Sequence, residues 1–437
     1  MSQLVASWGG YPAVKQSITA CTWRAETAKQ IMVQQQAHAS TLAFGNGRSY
    51  GDSCLAASHH ALGMNTLNRF ITVDWQQGLV TAEAGVTLAD ILRIAIPNGW
   101  FLAVTPGTQF VTLGGAIAND VHGKNHHVRG TFGCHVEQFG LLRQEQMLNC
   151  SAQENPELFS ATIGGLGLTG IITWATIRLI PIQSAHIDCK TVRFNNLDEF
   201  FELSNTLDAQ HEYSVAWIDC LAAGKQTGRG VFMVGDHAQY GDLQHKTAAK
   251  LSVPLTPPVS LINTYSLRAF NHLYWHKHPK KLTVTRSDYE PFFYPLDRIL
   301  HWNRIYGRKG FQQYQCVIPE NTAADAIKEL LQCIAKSGRG SFLAVLKRCG
   351  DITSPGLLSF PMAGTSLALD FAHDAKLQTE LFQTLDNIVH HAGGRLYPAK
   401  DAHMRATDFQ QAYPGWHRLE QLRDPAMQSL FWQRVTR

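Results

Sequence analysis

The sequence predicts an α+β fold spread over more than one domain, and three observations carry that expectation. The chain has 437 residues, more than one hydrophobic core ordinarily organises. Its first part alternates short β-branched runs with glycine punctuation, in STLAFGNGRSYG, RFITVDWQQGLVTAEAGVTL and GLGLTGIITWATIRLIPI. Its later part repeats strand-like, helix-like and strand-like patterns in series, which suits an antiparallel sheet with a helical layer on one side.

Taken in order, ITVD and LVTAEAG read as two strands joined by a tight QQG turn, and TLADILRIAIPNG as an amphipathic helix closed by an Asn-Gly stop. Near Ile182 glycine becomes sparse. IDCKTVRF then reads as a strand, NLDEFFELSNTLDAQ as a helix capped by Asn195 or Asn196, and SVAWIDCLAA as a strand. The pattern returns in FQQYQCVIP, AADAIKELLQCIAKSG, FLAVLKRCG and TSLALDFAH, followed by the helix KLQTELFQTLDNIVHHAGG. Between these two groups, 243–290 is proline-interrupted, aromatic and basic; it takes no regular element and is expected to be a mobile loop. From 393 the polar, glycine-containing character of the start resumes. The expected division is 1–184, 185–392 and a tail, 393–437, that returns to the first domain.

Composition narrows the function classes. An apolar share of 45% against a charged share of 16% describes a well-buried globular chain rather than a disordered one. The formal charge of +4 is mild, and Lys and Arg are dispersed apart from HKHPKK at 276–281, so nucleic acid is not an expected partner. Nine cysteines without a C-x-x-C pair read as reduced thiols, mostly buried. No apolar run approaches the roughly 18 residues that span a bilayer, and the first twenty residues lack a signal-peptide layout, so a cytoplasmic location is expected.

Three glycine-rich segments carry the chemistry. FGNGRSYGD, from Phe44 to Asp52, lets the backbone turn tightly and bring successive N–H groups near phosphate oxygens, although a plain glycine turn between strands reads the same way in isolation. TPGTQFVTLGGAIAND adds Gly107, Thr108, Thr112, Gly114 and Gly115 before a small-residue helix start. ATIGGLGLTGIIT adds Gly164, Gly165, Gly167 and Gly170. None is a P-loop or a Rossmann G-x-G-x-x-G; together they suggest an extended diphosphate-containing cofactor in a cleft. GGAIANDVHGKNHH leaves a metal site, a proton-transfer site and a backbone cradle open. His122, His126 and His127 lack a neighbouring Cys cluster or H-E-x-x-H, and glycine disfavours a helix through HGKN, so no metal is expected.

FGNGRSYGD, TPGTQFVTLGGAIANDVHGKNHH, GGLGLTGIIT, WNRIYGRKGFQQYQCVIP, FLAVLKRCG and LYPAKD, in this order over nearly the whole chain, resemble the FAD-dependent vanillyl-alcohol-oxidase-type flavoenzymes. The resemblance implies a two-domain flavoprotein: an FAD-binding domain from the N-terminal part and the tail, and a substrate domain whose antiparallel sheet covers the flavin. By motif position it implies that Phe44, Gly45, Asn46, Gly47, Arg48, Ser49, Tyr50, Gly51 and Asp52 hold the diphosphate. Gly107, Thr112, Leu113, Gly114, Gly115, Asn119, Asp120, Val121 and His122 would lie beside the flavin, Ile172 on the adenine side and Tyr397 near the ring. Many relatives attach FAD through a His in the first loop; this chain has Arg48, Ser49 and Tyr50 there, so FAD is expected to be non-covalent.

The reaction implied is oxidation of the ribose C2 hydroxyl of a polyprenylphosphoryl-β-D-ribofuranose to the 2-keto sugar, the first half of an epimerisation to the arabinose form in cell-wall or glycolipid synthesis. Hydride transfer requires that the hydroxyl proton be taken up and the developing oxyanion be stabilised. Lys400, Lys347, Lys124, Gln313 and Gln315 match the substrate-site positions, with Tyr50 and His122 completing the set. From spacing alone, each Lys reads equally as a side chain reaching solvent and the two Gln as an exposed strand face. The resemblance breaks at Thr365–Asp370, where relatives carry a Cys at the position of Ala368. The partners expected are the lipid-linked sugar, an NAD(P)H-dependent short-chain reductase, and the inner face of the plasma membrane through FNHLYWHKHPKKL at 270–282. The competing substrate class is a soluble sugar, alditol or aldonolactone with dioxygen as acceptor.

Overall fold

The structure, a computed structural model, describes residues 3–244 and 251–437. Three sheets organise it. In the first, Gln3–Val5, Gln16–Ala20, His60–Gly63 and Ala43–Phe44 lie in that spatial order. In the second, Phe70–Asp74, Leu79–Glu83, Ile171–Pro181, Val136–Arg143 and Gln146–Ser151 run antiparallel to their neighbours, with Trp100–Leu102 on the end of Ile171–Pro181. The third places Thr283–Asp288, His186–Phe194, Gly230–His237, Tyr213–Ile218, Ala344–Cys349, Gly364–Ala372, Phe311–Pro319 and Arg395–Leu396 side by side, again antiparallel throughout. Leu251–Ser252 and Ile299–Leu300 form a short parallel pair.

The local signals act as their chemistry dictates. Thr87 caps Leu88–Ala95 in a reciprocal box with Asp90, and Gly99 ends the following turn at φ 80°. Leu88, Ile91, Leu92 and Ala95 are buried, at about 1.5–3 kcal/mol for each large side chain. Asn196, one of the two caps expected, accepts from Glu199 N at the start of Leu197–Leu207.

Strand alternation assigns the two faces of the large sheet. Tyr314, Cys316, Leu346, Leu367 and Leu369 pack with Phe200, Ile327, Leu330 and Leu331 of the helices Leu197–Leu207 and Glu320–Ser337. Gln313, Gln315, Val345, Lys347, Ser366 and Ala368 face the other way, into a cleft bounded by the glycine-rich loops. The site is thus built from alternate residues of strands whose other residues form a hydrophobic core.

The expectation that 243–290 lacks regular elements is corrected for its described residues; 245–250 lie outside them. Thr264–Lys277 is a helix, capped reciprocally by Asn263 and Ser266. Its buried residues, Leu267, Asn271 and Trp275, fall one per turn, too narrow a stripe to show as amphipathic periodicity. Asn271 Nδ2 donates to Asp219 Oδ1 at 2.8 Å and Trp275 Nε1 to the Phe194 carbonyl at 3.1 Å. Thr283–Asp288 is an edge strand pairing with His186–Phe194, and four exposed residues in a row erase its alternation. A smaller correction falls at KLQTELF, where Leu377–Phe382 is a π turn before the α-helix Gln383–His391.

Candidate active site

The cleft, of ≈ 570 Å³, is walled on one side by backbone and on the other by the large sheet. The backbone wall starts where Ala43–Phe44 ends. Gly47 turns at φ +59°, and a Cβ there would lie 2.6 Å from the Phe44 ring. A Cβ on Gly45 would lie 2.4 Å from Thr112 Oγ1, so the first two glycine loops touch only because that side chain is missing. Asn46 Nδ2 ties them by donating to the Phe110 carbonyl at 3.0 Å. Among the described residues the N–H groups of Asn46, Gly47, Arg48 and Ser49 find no protein acceptor, and the buried Ser53 hydroxyl beside them has no partner. Gly107 borders open space. Thr112 accepts from Gly115 N at 3.2 Å, and Tyr397 donates its hydroxyl to the Asn119 carbonyl at 2.9 Å. Unspent donors on a side-chain-free wall are what a diphosphate-linked cofactor requires, so these residues fit FAD.

Of the expected cofactor positions, Gly45, Asn46, Gly47, Arg48, Ser49, Tyr50, Gly107, Thr112, Gly114, Gly115, Asn119, Val121, His122, Ile172 and Tyr397 line the cleft. Phe44, Gly51, Asp52, Leu113 and Asp120 do not, and each has another task. Leu113 is fully buried in the core, and Phe44 buttresses Gly47. Gly51 packs so tightly on the Asp401 carbonyl that a Cβ would sit 1.6 Å from it. The Asp52 carboxylate is paired with Arg434 at 2.8 Å, and Asp120 accepts from Ser354, Ser359 and Gly133 N. These five support the wall from behind.

Lys400, Lys347, Tyr50, His122, Lys124, Gln315 and Gln313 all line the cleft together. Lys347 Nζ donates to the Gly123 carbonyl and, at 2.9 Å, to His122 Nδ1. His122 Nε2 in turn lies 3.1 Å from the Gln315 side-chain nitrogen. Burial and the neighbouring Lys347 hold His122 well below the usual histidine range, so it is neutral. Burial likewise lowers Lys347 and brings Lys124 down to about 8, where its ammonium sits 4.4 Å over the Phe292 ring and donates to the Phe292 carbonyl. Lys400 Nζ lies 3.7 Å over the Tyr50 ring, lowered by burial and partly restored by Asp370. Tyr50 itself is pushed up by burial, which keeps its phenol protonated.

His126 and His127 stand apart from this group. His127 Nε2 meets the His211 carbonyl at 3.0 Å; His126 is buried, and burial lowers it to about 3.

The cleft also contains residues the sequence did not single out. Trp8 lines it with the Arg48 guanidinium 4.2 Å from its ring centroid. An aromatic and apolar part of its lining is formed by Trp217, Met233, Phe270, Tyr274 and Phe342, with Trp217 and Tyr274 centroids 4.6 Å apart and Phe270 and Phe342 4.8 Å apart. Phe270 and Tyr274 are four apart on one helix, a spacing visible in the sequence once the helix is known. The convergence of Trp217 and Phe342 belongs to strand pairing and has no local signal.

A family described as "FAD binding domain" matches residues 17–146. A decaprenylphosphoryl-β-D-ribose oxidase from Mycolicibacterium smegmatis is 36% identical over 399 residues, covering 88% of this chain and 86% of that protein. An uncharacterised protein from Streptomyces coelicolor is 33% identical over 346 residues, 75% of this chain and 92% of its own. An L-gulonolactone oxidase from Bos taurus is 29% identical over 159 residues, 36% of this chain and 35% of that one. The fold, the cofactor wall and these matches define an FAD-dependent oxidoreductase that acts on a CH–OH group. More narrowly, the chain belongs to the decaprenylphosphoryl-β-D-ribose oxidase family.

Proposed function

We propose that the protein oxidises the C2 hydroxyl of a polyprenylphosphoryl-β-D-ribofuranose to the 2-keto sugar, with non-covalent FAD. The observation that carries this reading is the twofold lining of the cleft: the lysines Lys124, Lys347 and Lys400, and an apolar, aromatic cluster of Trp217, Met233, Phe270, Tyr274 and Phe342. A free sugar or lactone would leave that cluster without a matching group, whereas a lipid-linked sugar matches both parts of the lining. The partial likeness to lactone oxidases covers about a third of the chain and favours no second substrate.

Bound FAD supplies the hydride acceptor. The protein holds the sugar and moves the proton. Lys400 Nζ, with its proton affinity lowered by burial, takes up the hydroxyl proton. Gln313 and Gln315, on one face of Phe311–Pro319, orient the ring, and His122, held between Lys347 and Gln315, stands beside them as a neutral imidazole. Lys124 contributes positive charge for the phosphate.

The helix Thr264–Lys277 then joins the site to a membrane. Its residues Phe270 and Tyr274 line the cleft, while Leu273 and Tyr265 are 68% and 85% exposed on its outside. Leu255, Val259, Leu261, Leu282 and Val284 are exposed in the flanking segments, and HKHPKK at 276–281 adds positive charge. The protein works at the inner face of the plasma membrane and passes the keto sugar to an NAD(P)H-dependent short-chain reductase, completing an epimerisation that feeds cell-wall or glycolipid synthesis.

Anaerobic mixing with polyprenylphosphoryl ribose is expected to bleach the flavin absorbance; bleaching by free sugars or lactones but not by the lipid refutes the substrate. Tyr265→Asp with Leu273→Asp is expected to abolish sedimentation with anionic vesicles at unchanged melting temperature. Unchanged vesicle binding refutes the membrane contact. These outward residues are a sharper test than deleting 270–281, which would also remove the anchors Asn271 and Trp275.

A further inference from the structure

Behind the catalytic face lies a carboxylate that neither the motifs nor the cofactor wall uses. Asp370, on Gly364–Ala372, is two residues beyond Ala368 and so on the strand face that looks toward the cleft. It pairs across the sheet with Gln313. It is fully buried. Oδ1 accepts from Gln313 Nε2 at 2.6 Å, and Oδ2 has no hydrogen-bond partner among the described residues. A buried, half-satisfied carboxylate is costly unless a cation compensates it.

The cation facing it is Lys400. That ammonium makes no hydrogen bond or ion pair among the described residues and rests only on the Tyr50 ring. The groups facing Lys400 are Asp370, the Tyr50 phenol and the neutral His122, with Lys347 beyond the imidazole. Those facing Asp370 are Lys400, Gln313, Tyr50 and Tyr306, with Arg48 beyond Tyr50. Asp297, which lines the cleft, acts on Tyr50 and Arg48, whereas the carboxylate that acts on Lys400 is Asp370.

We propose that Asp370 is a positioning residue for the oxidation: anchored by Gln313, it supplies the countercharge for Lys400, the acceptor of the substrate's hydroxyl proton. The inference rests on the reaction proposed above. Ammonium with carboxylate and amine with carboxylic acid are both net neutral, so the buried pair carries no net charge before reaction. When the hydroxyl O–H bond breaks and the C2–H leaves as hydride to the flavin, the proton enters the pair and leaves it at +1, opposite the electrons that have left. Burial raises Asp370 and lowers Lys400, which brings the two proton affinities together, and the carboxylate acts on the amine through its charge rather than through a hydrogen bond. Asp370 does not line the cleft, so it acts through Lys400 and Gln313.

The test is Asp370→Asn, which keeps the acceptor oxygen for Gln313 and removes the charge. The pH limb of flavin reduction that belongs to Lys400 is identified by its disappearance in Lys400→Met. Without the carboxylate the lysine loses its proton more easily, so this limb is expected to move to lower pH by about 1–3 units. Asp370→Glu is expected to restore it. A slower rate with the limb unmoved, in a holoenzyme of unchanged melting temperature, overturns the proposal. If the Asn variant does not fold, Asp370→Ser, which likewise removes the charge, serves in the same measurement. The ¹³C resonance of the Lys400 ε-carbon, followed without substrate, must shift its midpoint in the same direction. Absence of any reduction by the lipid in the wild type would refute the substrate alone and leave this titration to decide the pair.

Discussion

Replacing Arg434 by Met should loosen both loops that meet at the site. Arg434 Nε lies 3.0 Å from Asp52 Oδ2, and one terminal nitrogen lies 2.8 Å from both Asp52 Oδ1 and Asp401 Oδ2. Asp52 closes the FGNGRSYGD loop and Asp401 closes YPAKD, and Tyr50 N donates to the Ala399 carbonyl at 3.2 Å between them. The two carboxylates are 7% and 1% exposed, so the variant strands both inside the protein. Removing one partner of a buried pair costs about 3–5 kcal/mol, and because the Arg434 side chain keeps 26% exposure the lower end applies. Urea denaturation followed by tryptophan fluorescence, with flavin release measured in parallel, should show an earlier midpoint and weaker FAD binding. The pH dependence identifies the cause. Burial alone would raise Asp401, but Arg434 and His403 hold it below the usual carboxylate range. Its stabilisation is therefore present above that range and lost as pH falls through the lowered value. In the variant the carboxylates take up protons at higher pH, so the gap between variant and wild type should narrow on acidification. A gap independent of pH would mean that packing, not charge, joins the loops.

Two other substitutions test the same neighbourhood. His403 lies 3.3 Å from Asp386 and 3.2 Å from Asp401; burial opposes its charge, but the carboxylates prevail and raise it. Its contribution is complete below the ordinary value of 6.5 and lost as pH rises through the raised one, so wild-type melting temperature should fall above that pH with a slope that His403→Gln lacks. Gly51→Ala would place a methyl group 1.6 Å from the Asp401 carbonyl, which is backbone and cannot rotate aside. A loss of at least the about 1–3 kcal/mol typical of overpacking, with slower flavin reduction as Lys400 is displaced, is expected by calorimetry and stopped flow. A variant as stable and active as the wild type would refute the backbone contact.

Much of the fold was legible because local and tertiary demands coincide. Thr87, Asn196 and Gly99 end helices by chemistry that needs only near neighbours, and alternation in FQQYQCVIP reflects a strand with a core on one face. The helix Thr264–Lys277 was not legible for the opposite reason. Its buried stripe is one residue per turn, and the remainder of its surface is aromatic, basic and exposed, a composition that reads as loop. Thr283–Asp288 was lost for the same cause at the sheet edge. Elements that serve a surface rather than a core carry little periodicity.

The site shows the same division more sharply. The glycine loops announce themselves because a side-chain-free backbone has a compositional signature, and all seven residues expected to act on the substrate face one cleft. Motif position could not separate residues that touch the cleft from those that hold it. Asp52 and Asp120 sit within the same runs as Tyr50 and His122, yet Asp52 secures the C-terminal helix and Asp120 two serines. Asp370 was quoted in the sequence only as the end of a departing segment, and nothing local marks it. Its significance arises from register: Gln313 opposite it on one strand, and Lys400 brought over Tyr50 from the tail. A carboxylate acquires chemistry here from pairing across the sheet. Substituting Ala368, two residues before it on the cleft face, alters the shape of the pocket, whereas substituting Asp370 alters the charge on which proton uptake depends.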